Sequence, residues 1–180
     1  MHKYAVIAVM AGVPAFAEVN HYEATLSSTH ESSSAWSSAV TAVGTAKVSV
    51  DHANGVINSF ELRLTGLNIE DLAPAGPNGS FGSIHFHNYP QGGPNFFVQQ
   101  LPLTAQENDG TLIFSLSGWK VEDPVKGIGD ASFVLNEILS GNAYIGVHTN
   151  GMNCKSPATG ESISCAAPAT AISGHVVLTE

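Results

Sequence analysis

The stretch Val56-Ile57-Asn58-Ser59-Phe60-Glu61-Leu62-Arg63-Leu64-Thr65-Gly66-Leu67 sets the fold class. From Phe60 onward every second residue is apolar (Phe60, Leu62, Leu64), and Glu61, Arg63 and Thr65 fall between them. A period of two belongs to a strand with one face on a core and the other in water. Working outward, Asp51-His52-Ala53-Asn54-Gly55 precedes it, and Asn-Gly between apolar runs is a strong hairpin signal. Before that turn, Gly44 to Val50 alternates, with Ala46, Val48 and Val50 opposed to Lys47 and Ser49. After it come a Pro- and Gly-rich loop over 73–82, a strand from Gly82 to Tyr89, a turn at Pro90–Pro94 and a return from Asn95 to Leu101. Thr111 to Leu116 alternates again. Asp130 to Ser140 carries Ala131, Val134, Leu135, Ile138 and Leu139 at spacings of three and four, which predicts a short helix ended by Gly141-Asn142. Ala143–Thr149 and Ala171–Thr179 read as strands, 150–169 as a long loop, and the polar 27–41 as a loop anchored by Trp36. Short strands separated by turns, with one helix, predict an all-β chain: an antiparallel β-sandwich or barrel, of which the sandwich is the leading reading.

The ends and the charge bound the function. Met1-His2-Lys3 is a basic start, Tyr4 to Val13 is an apolar run, and Ala15-Phe16-Ala17 follows Pro14. This reads as a secretory signal peptide cleaved after Ala17, with a buried N-terminal strand or helix as the alternative. It places the product in a secreted or periplasmic setting, with residues 18–180 as one domain. No run reaches the ~20 apolar residues of a membrane span. Loss of Lys3 takes the 6 basic residues to 5 against 15 acidic ones, a formal charge of −10, which argues against nucleic acid and anionic membrane as partners. Cys154 and Cys165 lie 11 positions apart. In an oxidising compartment they read first as one disulfide, with a thiol metal site or a free redox pair as alternatives.

The histidines carry the chemistry. In Ile84-His85-Phe86-His87 the two imidazoles share one strand face, and Ile84 and Phe86 take the core side. In Tyr144-Ile145-Gly146-Val147-His148 the core residues are Ile145 and Val147, so His148 shares the other face with Tyr144 and Gly146. Gly146 leaves space beside His148. If the two strands are neighbours, three imidazoles converge on the outer face as a surface cluster able to hold copper or zinc, with an open position for water or substrate. The alternative is a hydrogen-bonded cluster that staples strands together. His175 is a candidate fourth member, and Val177 shares its side. His21, His30 and His52 read as solvated. No catalytic serine arrangement or carboxylate pair is visible in the sequence.

These same residues carry a family resemblance. Gly82-Ser83-Ile84-His85-Phe86-His87, a Gly-rich turn and Phe96-Phe97-Val98-Gln99-Gln100-Leu101 resemble the first motif of the CHRD (chordin-type) domain. Leu139 to Thr149 resembles its second motif, with Gly146 in place of the usual Asn. Pro157–Glu161 and Ile172–Val176 resemble the two halves of a third motif, split by an insertion that contains Cys165 and ending with His175 in place of Gln. Tyr22-Glu23-Ala24-Thr25-Leu26-Ser27 and Glu31 resemble the opening motif. The resemblance implies a bacterial exported CHRD protein with an immunoglobulin-like or superoxide-dismutase-like sandwich. It also implies, as an alternative to metal binding, a non-catalytic module that binds an extracellular protein. A looser likeness to copper–zinc superoxide dismutase keeps a copper redox enzyme as a further alternative.

Overall fold

A computed structural model describes residues 18–27, 37–38, 42–73, 83–88, 98–123, 130–149, 154–155, 162–163 and 169–179. The signal-peptide expectation for residues 1–17 lies outside them. So does the expected disulfide, because Cys165 is not among them.

In chain order the strands are β1 (Val19–Ser27), β2 (Ser37–Ser38), β3 (Val43–Asp51), β4 (Val56–Thr65), β5 (Ile84–Asn88), β6 (Val98–Gln100), β7 (Thr104–Asn108), β8 (Thr111–Lys120), β9 (Ala143–Thr149), β10 (Cys154–Lys155), β11 (Ser162–Ile163), β12 (Ala169–His175) and β13 (Val177–Leu178). One helix, α1 (Ala131–Leu139), and a 3-10 turn at Ile69–Asp71 complete the described elements. The all-β class with one short helix stands as expected. One antiparallel sheet runs β6-β5-β9-β12-β1-β3-β4-β8-β7, with β13 also on β1, and β11-β10-β2 form a small second sheet inside two segments read as loops.

The main sheet curls on itself. Five strand spacings separate β4 from β5, roughly 24 Å if the sheet were flat. Yet the rings of Phe60 and Phe86, on those two strands, meet edge to face with centroids 6.0 Å apart. The alternating apolar residues supply this shared interior: Tyr22, Ala24 and Leu26 from β1, Leu62 and Leu64 from β4, Ile145 and Val147 from β9, all buried. A bulge corrects the period where it breaks: β4 carries Asn58 as an extra residue against β3, where Ser49 pairs with Ser59 but Val50 with Ile57, while its pairing with β8 keeps one register past Gly118. Gly118 has φ +61, a conformation glycine adopts without strain. The slip returns Ile57 to the interior beside Phe60.

Two further strands, β1 and β7, lie outside the expected set. β1 alternates Tyr22, Ala24 and Leu26 with Glu23 and Thr25. β7 is mostly polar and exposed throughout, so its periodicity is silent, but the Asp109-Gly110 turn after it (φ 48 and φ 70) marks the hairpin with β8. Its polar side chains suit a sheet edge.

The helix starts at its cap. The Asp130 carboxylate accepts from the Phe133 N–H at 3.1 Å. Hydrogen bonds from Ser132 and then Phe133 hold its pKa below the usual carboxylate value. Val134 and Ile138, four apart, are the fully buried pair, and Leu139 is exposed.

The turn at 51–55 corrects one expectation. His52 is half-buried, with its Nε2 2.7 Å from Tyr22 Oη. Burial lowers its pKa, and Asp51 opposes that in part. A histidine whose folded pKa is depressed contributes stability that is present above its unfolded pKa of ~6.5 and lost as pH falls through the folded value. The stability difference between wild type and His52→Gln in urea titrations should therefore shrink on acidification below that point. A difference independent of pH would exclude the coupling.

Candidate metal centre

β5 and β9 are adjacent and antiparallel, with His85 opposite Gly146 and His87 opposite Tyr144. The register puts His85, His87, Tyr144, Gly146 and His148 on one side of the sheet. The chain then fixes the end of β9. The His148 N–H donates to the Ser83 carbonyl at 2.7 Å, and the His148 carbonyl accepts from the Ala73 N–H at 2.9 Å.

The result is a convergence of three imidazoles. One ligand nitrogen from each of His85, His87 and His148 lies within 4.8 Å of the others. Nε2 of His87 and Nε2 of His148 are 3.2 Å apart. With metal–nitrogen bonds of about 2.05 Å, that separation corresponds to an angle of about 103° at a shared ion, near the tetrahedral value. A tetrahedral ion at this bond length holds its nitrogens about 3.3 Å apart, so a pair at the 4.8 Å limit closes by about 1.5 Å on binding. In the metal-free state a 3.2 Å hydrogen bond needs one Nε2–H and one bare Nε2. An ion needs both nitrogens bare, so the staple and the metal site are two states of one cluster.

The expectation of a surface cluster is corrected. His85 is 3% and His87 7% exposed, and only His148 is half-buried. This part of the sheet is buried on both faces: every residue of β5 is buried, as is every residue of β9 except His148. Period two therefore gave the facing correctly but not the exposure. Gly146 supplies the room. A Cβ placed there would lie 3.2 Å from both Nε2 and Cδ2 of His87, and 3.4 Å from Nε2 of His148.

His175 does not join the group. It is exposed, opposite Tyr144 on β12, with the two rings 6.3 Å apart. Tyr144 has a place that its sequence position alone does not disclose: its ring stacks on His87 at 5.1 Å and 10°. The three candidate ligands are neutral donors, and among the described residues no carboxylate or thiolate belongs to the group.

The chain matches no protein-family model, no curated protein and no solved structure.

Proposed function

We propose that this chain is an exported, CHRD-like protein that binds one copper ion through His85, His87 and His148. The observation that carries the reading is the convergence of three imidazole nitrogens from two neighbouring strands, with those of His87 and His148 beside the bare Cα of Gly146. Imidazole donors suit copper and zinc, and Cu²⁺ binds more tightly than Zn²⁺ to a given set of nitrogen ligands. The apolar run before Ala15-Phe16-Ala17 and the acidic balance support export. Residues 84–87 and 139–149 support the CHRD likeness.

The test is calorimetric titration of the mature protein with Cu²⁺ and with Zn²⁺. The expected result is one ion per chain, with copper tighter. The control His21→Ala, at an exposed position of β1, should bind as wild type does. Because only neutral imidazole binds, affinity should fall as pH drops through the ordinary histidine range near ~6.5. If neither metal binds, the histidines are a structural staple, and the reading as a module for an extracellular protein partner replaces this one.

A further inference from the structure

Three rings stand in a row across β5, β9 and β12. His87 pairs in register with Tyr144, and Tyr144 with His175. The first two rings are stacked at 5.1 Å, and the second and third are 6.3 Å apart at 31°. Tyr144 is 3% exposed and His175 is exposed. The row therefore begins at a proposed metal ligand, passes through a buried aromatic ring and ends at an exposed histidine.

We propose that this row is an electron path, through which copper on the three histidines exchanges single electrons with a partner that docks at His175. The inference rests on the copper reading above. In the step, Cu⁺ becomes Cu²⁺ and one electron passes to a one-electron acceptor held by the partner; no bond forms or breaks and no proton moves. Tyr144 serves as the coupling bridge and is not itself oxidised, so its ring is needed and its hydroxyl is not. Neutral donors serve both oxidation states: burial favours the lower charge, and imidazole suits the higher. The mature chain's formal charge of −10, from 5 basic and 15 acidic residues, favours a cationic partner.

The experiment loads the full mature chain with copper, reduces it, and mixes it with hexaammineruthenium(III) in a stopped-flow instrument while Cu²⁺ absorption is followed. Copper content is measured separately on each sample. The expected result is that Tyr144→Leu and His175→Ala each slow the oxidation by an order of magnitude or more with copper content unchanged. Tyr144→Phe and His21→Ala should keep the wild-type rate, and added salt should slow the wild type. If Tyr144→Leu does not fold, His175→Ala, at an exposed position, decides alone. Copper-loaded variants that oxidise at the wild-type rate would overturn the proposal and assign the exit to the half-buried edge of His148. A wild type that takes up no copper would overturn both this proposal and the reading beneath it.

Discussion

Gly146→Ala should leave the fold intact and weaken copper binding on the order of a hundredfold, about 2.8 kcal/mol. The three atoms nearest the added methyl would be ring atoms of His87 and His148, at 3.2–3.4 Å, and side chains can shift by the few tenths of an ångström this requires. The backbone there is not in the left-handed region, so alanine is not strained. His85 is paired opposite Gly146, and the methyl would lie against the Nε2 atoms of His87 and His148 that a shared ion must reach. His148→Ala, which removes a ligand outright, should lose at least as much. Competition against a chromophoric copper chelator measures both variants, and thermal melting of the metal-free proteins checks that they fold. Wild-type affinity in Gly146→Ala would place the ion elsewhere.

Phe86→Ala should cost the metal-free protein about 3–5 kcal/mol, the range for deleting a buried ring. Phe86 is fully buried, and its contact with Phe60 joins two strands that are five spacings apart in the sheet. Total stability of ~5–15 kcal/mol is usual for a domain, so this one substitution removes a large part of it. Copper should restore part of the loss, because a ligand at a thousandfold excess over its dissociation constant adds about 4.1 kcal/mol. Urea titrations with and without copper give both numbers. A loss below ~1 kcal/mol, ordinary for any substitution, would mean that the ring does not close the seam.

Much of this was legible in the sequence, for identifiable reasons. Phe60, Leu62 and Leu64 alternate without interruption, so β4 and its inner face follow directly from the period. The start of α1 is visible because Asp130 sits one residue before the helical spacing begins. His85, His87 and His148 could be placed on one side because a strand's two faces alternate without exception between bulges. Exposure was not legible. Whether a face meets water depends on what the rest of the chain lays over it, and no local pattern around Ile84-His85-Phe86-His87 encodes that. His175 was ambiguous for a related reason. Its strand slips register between Thr170 and Ile172, and its distance from the cluster follows from pairing opposite Tyr144 rather than Gly146. The edge strand β7 was invisible to periodicity because neither of its faces is buried.

The position of β1 has a consequence for how the molecule is made. The first described strand lies between β3 and the last ones, β12 and β13, and the Thr179 N–H donates to the His21 carbonyl at 2.8 Å. A ribosome delivers β1 about 140 residues before β12, so their pairing waits until the intervening strands have been made. Contacts across so long a separation are also the slow ones to form, because a long loop must close before they contribute. The edge of β1 that β12 and β13 cover thus stays open until those strands arrive.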